Sequence, residues 1–375
     1  MSPTCLNPFV HLHISNNGAV NACCVANIPF GNINEQSLEE IWNGEAINNL
    51  RDKFRAGKTD PRCAVCHKIE ETGGKSIRME TNERFQHISI DPVPKLPVYF
   101  DIRFSNICNF RCRTCYHGAS SKWFNDAKAL GTNIGQKAII KNIKEVDTFI
   151  AKTEKALLEA EEFYFAGGEP LVTEEHYILL EWLIKNKATK ARLRYNTNFS
   201  KLEFKQYDVL KLWKHFPQVE ILGSIDATGE LGEYIRKEMD WNTILRNREK
   251  IRSLPNVTFK IAPTISVLNI HNLVDLYQEC LQNRMIDAED LYINILEQPK
   301  YYNIQILKNE EKEKITRQIL NSFTEETPIS IRSAFQEIIA YMNAKDRSNL
   351  WALFEQKTKA LDELRGEDFS QFEIV

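Results

Sequence analysis

The clearest pattern along the chain is an alternation of short apolar segments with longer helical ones, which begins at residue 98. The segment Val98–Phe104, VYFDIRF, alternates apolar and polar positions as a strand does. Similar segments predict further strands at residues 162–166, 191–195, 219–226, 257–267 and 290–296. Strands that alternate with helices favour parallel pairing with crossover helices, and hence an α/β fold.

The first ninety residues follow a different pattern, in which short strands precede helices. Residues Phe9–Asn21 form two alternating runs joined by Asn16-Asn17-Gly18, which is typical of the turn in a β-hairpin. Ser37 followed three residues later by Glu40 is typical of a helix N-terminus, and apolar side chains then recur at helical spacing. The pattern predicts a small α+β module ahead of the α/β domain.

Proline density marks the boundary between these two parts. Asp91–Pro97 contains three prolines, which disfavour helix and strand pairing and indicate a stiff linker. Later, the Lys- and Glu-rich region Gln136–Glu161 predicts a long solvated helix, and Ala334–Tyr341 and Leu350–Phe354 predict C-terminal helices. We therefore divide the chain into an auxiliary module (1–90), a linker (91–97), an α/β domain (98–305) and a C-terminal helical segment (306–375).

Composition and charge exclude several classes of protein. The 375 residues are 43% hydrophobic and 26% charged, with a net charge of −3, so a broad polyanion-binding surface is not expected. No apolar stretch reaches the length of about 20 residues that a membrane helix needs. The first residues lack a basic segment followed by an apolar one. We expect a cytoplasmic protein with neither a membrane nor a nucleic acid as its partner.

Cysteines carry the strongest chemical signal. The chain has nine, and all but Cys280 lie in its first third. Clustered cysteines in a reducing compartment favour metal binding over disulfides. The loop after the strand at residue 98 carries Cys108-x3-Cys112-x2-Cys115. Three thiolates can hold three irons of a 4Fe–4S cube and leave the fourth iron without a protein ligand. The alternative is a zinc site, which usually needs four ligands.

This cysteine spacing, placed directly after a strand, resembles that of the radical S-adenosylmethionine (radical SAM) superfamily. The resemblance implies a partial (β/α)6 barrel whose cluster chelates the amine and carboxylate of S-adenosylmethionine at its open iron. An electron from the cluster then cleaves the sulfonium to give a 5′-deoxyadenosyl radical. The residue before the third cysteine is commonly aromatic in the family and packs near the adenine. Here it is Thr114, so Tyr116, just after the cysteine, becomes the candidate for that contact.

Residues at the ends of later strands resemble the cofactor contacts of the same family. The second strand ends in Gly167-Gly168-Glu169, which matches the family's GGE motif. The glycines let the backbone approach a ligand closely, and the carboxylate suits the methionine ammonium. The resemblance implies further contacts from Asn196, Asn198, Ser224, Asp226 and Arg236. The alternatives are strand-end caps for the first four of these and a surface salt bridge for the arginine.

A second set of cysteines lies in the N-terminal module. Cys5-x12-Gly18-x4-Cys23, then a helix and Cys63-x2-Cys66, resembles the auxiliary-cluster modules called twitch and SPASM. Four well-spaced cysteines fit the one-cluster twitch form better than a full SPASM module. The resemblance implies that Cys5, Cys23, Cys63 and Cys66 bind a second 4Fe–4S cluster. In relatives such a module normally follows the radical domain, whereas here it precedes it.

Three alternatives to this auxiliary cluster remain open. The adjacent Cys24 could replace Cys23 as a ligand. A zinc site with four cysteines has the same ligand count and can have the same spacing. Cys63-Ala-Val-Cys66-His67 also matches the attachment sequence of c-type haem, although that chemistry requires export.

These features predict a radical SAM oxidoreductase with two 4Fe–4S clusters and S-adenosylmethionine as cofactors. The auxiliary cluster is expected to accept the electron left on the substrate after hydrogen abstraction, and a flavodoxin- or ferredoxin-type protein is the expected reductant. Relatives with such modules most often modify ribosomally made peptides, so a peptide substrate is expected. The alternatives are a dehydrogenase or rearrangement enzyme acting on a sugar or cyclitol, and a non-enzymatic metal-binding scaffold.

Overall fold

The structure, a computed structural model, describes residues 5–71, 74–141, 143 and 145–372. Strands β1–β12 comprise, in order, His11–Ile14, Ala19–Asn21, Pro29–Asn32, Tyr99–Ile102, Glu162–Phe165, Arg192–Thr197, Glu203–Phe204, Tyr207–Asp208, Val219–Gly223, Val257–Ile261, Thr264–Ile265 and Asn294–Ile295. Helices α1–α15 comprise Asn7–Val10, Leu38–Trp42, Glu45–Arg55, Ala64–Glu71, Ile77–Arg84, Trp123–Ala129, Val146–Glu159, Glu174–Lys185, Val209–Trp213, Gly229–Ile235, Trp241–Ile251, Leu273–Gln282, Asn309–Ser322, Ile329–Asn343 and Trp351–Arg365.

One mixed sheet with strand order β10-β9-β6-β5-β4-β1-β2-β3 organises the molecule. Its members from β10 to β1 are parallel, and β2 and β3 extend it in antiparallel fashion. The predicted sixth strand, residues 290–296, lies next to β10. It pairs in parallel through a bridge between Ile261 and Leu291 and through the pair β11–β12. The α/β fold class, with a partial (β/α)6 barrel, is confirmed.

Apolar side chains on one face of the parallel strands form the core against the outer helices. Phe100 of β4 and Phe163 of β5 are fully buried there, and their rings stack with centroids 5.8 Å apart. Leu179 and Leu183 of α8 are also fully buried. Burial of apolar surface of this kind is the main stabilising term of a fold, and it leaves the opposite face of the strands for polar side chains.

The N-terminal hairpin continues the barrel sheet directly. The predicted turn at Asn16–Gly18 forms, with φ of +87° at Gly18. The first strand starts at His11 rather than at Phe9, because Asn7–Val10 form a helical turn. β1 pairs in parallel with β4, the first barrel strand, in the register His13 to Asp101. The auxiliary module and the barrel therefore share one set of backbone hydrogen bonds.

The prediction of a long helix over Gln136–Glu161 is wrong in its first part, because α7 begins only at Val146. Asn106 explains the difference. Its side-chain amide donates to the carbonyl of Ala138 at 2.9 Å, and its carbonyl oxygen accepts from the backbone N–H of Ile140 at 2.8 Å. These bonds hold residues 138–140 against the loop that follows β4, and tertiary contacts here override local helix propensity.

Residues 91–97 contain no helix or strand, and the carbonyl of Pro94 accepts a hydrogen bond from Trp42 Nε1 at 2.9 Å. The predicted C-terminal helices correspond to α14 and to the beginning of α15, and Gly366, where φ is +65°, caps the C-terminus of α15. None of the helices in the described ranges is both long enough and apolar enough to cross a membrane.

Candidate active site

The loop between β4 and α6 carries Cys108, Cys112 and Cys115 as free thiols. Hydrogen-bond donors face two of the sulfurs: the backbone N–H of Phe110 lies 3.4 Å from Cys108 Sγ, and Arg236 Nη1 lies 3.7 Å from Cys112 Sγ. Burial raises the pKa of Cys115 to about 12. Thiolate sulfur is the form that binds iron, and donors aimed at sulfur stabilise it. The three thiols therefore fit a cluster.

Arg236 is held in place by a carboxylate. Its Nε lies 2.9 Å from Asp226 Oδ2 and its Nη2 lies 2.9 Å from Asp226 Oδ1, with both residues buried. Asp226 also accepts the backbone N–H of Thr264 at 2.7 Å. Burial raises the pKa of Cys112, and the Arg236 guanidinium opposes that rise. The two predicted residues are thus brought together, and the arginine contacts a cluster cysteine.

The glycines of the GGE motif lie directly beneath the cysteine loop. Gly167 and Gly168 have φ of +79° and +55°, in the region that favours glycine. A Cβ at Gly168 would lie 2.2 Å from the carbonyl oxygen of Ile107. The backbone N–H of Glu169 donates to the same carbonyl at 2.7 Å. Only glycine allows the motif to approach the loop this closely.

The Glu169 carboxylate is bound largely by the protein itself. It is buried and accepts from Leu171 N at 3.0 Å, Thr197 Oγ1 at 2.6 Å and Asn198 N at 2.6 Å. Burial raises its pKa to about 7, although these hydrogen bonds oppose the rise. A carboxylate offers about four acceptor sites, so one remains for a further donor. The contact predicted with an ammonium group would use that site.

Strand β6 ends beside the same loop. Asn198 Nδ2 donates to Asn109 Oδ1 at 2.9 Å and lies 4.0 Å from Cys108 Sγ. Asn196 Oδ1 is buried and has no hydrogen-bond partner among the described residues. Phe199, which stands where relatives often carry glycine, is fully buried with φ of +57°. Such a backbone angle is unusual for a bulky residue.

The remaining predicted contacts differ in how close they come to this cluster of residues. Ser224 is half-buried at the end of β9, and its backbone N–H donates to Thr197 O at 2.8 Å. Tyr116 is 62% exposed and its ring lies against Gly118 and edge-on to His117. The structure therefore places Ser224 near the site and leaves Tyr116 on the surface.

The inner face of the sheet carries a row of polar residues that the sequence analysis did not single out. Asp101, Tyr164, Arg194 and Glu220 lie side by side in register across four neighbouring strands. Arg103 Nε contacts Asp101 at 2.7 Å, and Arg194 Nε contacts Glu220 at 2.7 Å. The available signal was the polar residue at every second position of the barrel strands, which marks a face turned away from the apolar core.

The auxiliary cysteines form a second group. Cys5, Cys23 and Cys66 are buried and Cys63 is half-buried, all as free thiols. Cys5 interacts electrostatically with Cys63 and Cys66, and Cys23 interacts with Cys5. Burial raises the pKa of Cys5 to about 12 and that of Cys63 to about 11. The four predicted ligands are therefore linked by electrostatic interactions through Cys5.

Cys24 differs from its neighbour Cys23. Its side chain is exposed and interacts with Asp101 and Arg103 of the inner sheet face. Within the described residues, no group of three or more His, Cys, Asp or Glu side chains is arranged to hold a single metal ion. In a 4Fe–4S cluster each cysteine binds its own iron, so the thiols need not converge on one point.

The fold and the thiol loop define a β/α-barrel protein with cysteine-rich ligand sites. The model of the radical SAM superfamily matches residues 102–280, and that of the SPASM iron–sulfur cluster-binding domain matches residues 5–68. The chain therefore carries a radical SAM domain over residues 102–280 and a SPASM domain over residues 5–68, on the N-terminal side of the barrel. These domains imply 4Fe–4S clusters and S-adenosylmethionine, so the predicted cofactors are confirmed.

No curated protein matches this chain. Similar solved structures include native anSMEcpe with bound AdoMet, which is 19% identical with a TM-score of 0.43 over 60% of each chain. The same protein with AdoMet and the Kp18Cys peptide is 18% identical, with a TM-score of 0.42 over 60% of this chain and 59% of that one. SuiB from Streptococcus suis bound to S-adenosylmethionine is 12% identical, with a TM-score of 0.38 over 74% and 57%. The chain spans about 60% of the length of the first of these structures.

Proposed function

We propose that this chain is a radical SAM oxidoreductase that modifies a peptide and carries two 4Fe–4S clusters. Cys108, Cys112 and Cys115 would hold the cluster that binds S-adenosylmethionine. When bound, these cofactors supply reductive cleavage of the sulfonium and abstraction of a hydrogen atom from substrate. An auxiliary cluster on the N-terminal thiols would then accept the electron left on the substrate.

The chain's own residues prepare the barrel site for this chemistry. Arg236 places a positive charge beside the sulfur of Cys112. The backbone N–H of Phe110 points at the sulfur of Cys108. Gly167 and Gly168 leave room beside the loop, and Glu169 keeps one acceptor site for an ammonium group. Each of these groups is fixed by a protein partner, so little reorganisation is needed when the cofactor binds.

One observation carries the electron-acceptor role: helix α5 connects the auxiliary thiols with the inner face of the barrel. Arg78, in its first turn, interacts electrostatically with Cys5 and Cys66. On the same helix, Glu80 contacts Arg194 of β6 at 3.3 Å and Arg84 contacts Glu162 of β5 at 3.5 Å. These contacts support a position of the auxiliary cluster near the inner face of the sheet, where a substrate would bind.

The inner face also supports a peptide as the substrate. Its charged residues are arranged in ion pairs, such as Arg103 with Asp101 and Arg194 with Glu220, so the surface is polar without a strong net charge. Asn196 Oδ1 is buried and unpartnered among the described residues, and it can accept a backbone N–H. A sugar or cyclitol hydroxyl could also donate to it, so the substrate test must include both classes.

Deuterium transfer tests this proposal. The anaerobically reconstituted, reduced protein would be incubated with S-adenosylmethionine and either a deuterated peptide library or deuterated sugars and cyclitols. Deuterium in 5′-deoxyadenosine from the peptides alone is the expected result. Transfer from sugars alone would identify a small-molecule enzyme. Protein that binds iron but forms no 5′-deoxyadenosine under any condition would contradict an enzymatic role.

A further inference from the structure

The C-terminal helix α15, Trp351–Arg365, and the turn after it contact the three-cysteine loop. This part of the chain lies outside both regions that match the radical SAM and SPASM domains, residues 102–280 and 5–68. The sequence predicts only a short helix, Leu350–Phe354, at its start. In the structure it supplies charged partners to residues that stand between the cluster cysteines.

The first contact is made by Arg113, which lies between the second and third cysteines. Its side chain has no exposed surface and forms ion pairs with the carboxylates of Asp362 and Glu367. The guanidinium lies 3.7 Å from the ring centroid of Tyr234, and the hydroxyl of that tyrosine donates to Asp362 Oδ1 at 2.9 Å. Asp362 and Glu367 of the C-terminal segment therefore neutralise the buried Arg113, and Glu367 also forms an ion pair with Lys237 at 2.6 Å.

The second contact is made by Arg365 at the end of α15. Its Nη2 lies 2.8 Å from Asp126 Oδ2 and donates to the backbone carbonyl of Arg111 at 2.8 Å. Asp126 also binds the side chain of Arg111 at 2.9 Å. Trp123, whose ring lies 4.8 Å beneath the Arg365 guanidinium, donates through Nε1 to the carbonyl of Cys112 at 2.6 Å. The backbone on both sides of the second cysteine is thus fixed from outside the loop.

We propose that residues 351–372 act as a clamp that holds the three-cysteine loop in its cluster-binding conformation, with Arg113 as the main positioning residue. A buried guanidinium without its carboxylates is costly, so the loop keeps this conformation only while the clamp is docked. The role rests on the proposed function of Cys108, Cys112 and Cys115 as cluster ligands. It assigns a task in cofactor assembly to a segment far from these cysteines in sequence.

Hydrogen exchange in the apoprotein tests the clamp without a cluster. Arg113→Met and the double variant Asp362→Asn/Glu367→Gln should each accelerate amide exchange in residues 106–121 by about tenfold or more. Arg113→Lys, which keeps the charge, should restore part of the protection. Exchange in β5 and β6 should stay at wild-type rates, which shows that the barrel remains folded. The matched control is Lys190→Met, which removes the exposed ion pair between Lys190 and Glu159.

Iron content and spectra separate this proposal from the proposed function. In reconstituted holoprotein, Arg113→Met should lose about half of its iron to a chelator that leaves the wild type loaded. The spectral change that S-adenosylmethionine causes in the reduced cluster should also be altered. Wild-type protein that binds no iron at the loop would contradict the proposed function. If the wild-type protein binds iron and the clamp variants show the same amide exchange rates and the same iron retention as the wild type, the clamp alone would be contradicted.

Discussion

The guanidinium of Arg236 lies 3.7 Å from the sulfur of Cys112 and is held there by Asp226. This contact joins two segments that are 124 residues apart in sequence. Backbone hydrogen bonds from Arg111 to Lys237 at 3.2 Å and from Arg113 to Ile235 at 2.8 Å align the two segments. The sequence predicts that this arginine contacts the cofactor, and its position beside sulfur indicates a second task.

A positive charge beside a cluster ligand favours the more negative, reduced cluster. Arg236→Gln should therefore make the midpoint potential of the radical SAM cluster more negative, on the order of 50 mV. Arg236→Lys keeps the charge and should shift the potential less. Redox titration followed by electron paramagnetic resonance measures both values. Equal potentials in all three proteins would show that the contact does not affect the cluster.

Replacement of the three loop cysteines should separate the two clusters. Reconstituted wild-type protein should contain about eight irons, and Cys108→Ala/Cys112→Ala/Cys115→Ala should keep about half of them and form no 5′-deoxyadenosine. Replacement of Cys280, which is buried in α12 away from both thiol groups, is the matched control and should leave the iron content unchanged. Wild-type protein with zinc on the N-terminal thiols and only about four irons in total would contradict the auxiliary cluster.

The close approach of Gly168 to the loop predicts a large effect from a single methyl group. Gly168→Ala places a Cβ 2.2 Å from Ile107 O, whereas Gly131→Ala, also at a positive φ of +70°, meets nothing within 4 Å. The control should lose about 1 kcal/mol of unfolding free energy, and Gly168→Ala should lose several kcal/mol. Chemical denaturation of the apoproteins measures both losses. Equal losses would mean that the loop can move away without cost.

Glu169 predicts a pH dependence of stability. Its pKa in the folded protein is about 7, against an ordinary value of 4.5, so the folded state binds more protons between these pH values. The stability this group contributes is fully present below pH 4.5 and is lost as pH rises through 7. Relative to Glu169→Gln, the wild-type apoprotein should lose up to about 3 kcal/mol over this range.

Denaturation at several pH values checks this prediction. Glu230→Gln, which removes a carboxylate at an exposed position, is measured beside it as the control. A Glu169→Gln curve that runs parallel to that of the wild type would show that the carboxyl group of Glu169 titrates as it does in the unfolded chain.

Removal of the auxiliary thiols should separate cleavage of S-adenosylmethionine from formation of the product. Cys63→Ala/Cys66→Ala should still cleave S-adenosylmethionine, while the product from the true substrate disappears or is replaced by substrate with a returned hydrogen. Cys24→Ala, next to a proposed ligand, should keep both iron and product. Because a small module depends on its metal for stability, circular dichroism must show that the variant is folded. Normal product yield from such a folded variant would recast the module as a substrate-binding platform.

The sequence by itself determined the elements and the chemistry of the thiol loop. Alternating strands and helices, the spacing of Cys108, Cys112 and Cys115, and the Gly167-Gly168-Glu169 ending are local patterns, and each one reflects a local requirement of backbone or ligand. The same holds for the hairpin of the N-terminal module. These features could be predicted because each of them appears within a short stretch of the sequence.

Only the tertiary structure decided which distant residues act on that loop. The contact of Arg236 with Cys112, the pairing of β1 with β4 and the burial of Arg113 against Asp362 join segments that carry no shared sequence signal. Polar residues on the inner face of the barrel, such as Asp101 and Arg194, likewise acquire their partners only when neighbouring strands come into register. Charged side chains look solvated in a sequence, and burial with a partner is a property of the packed chain.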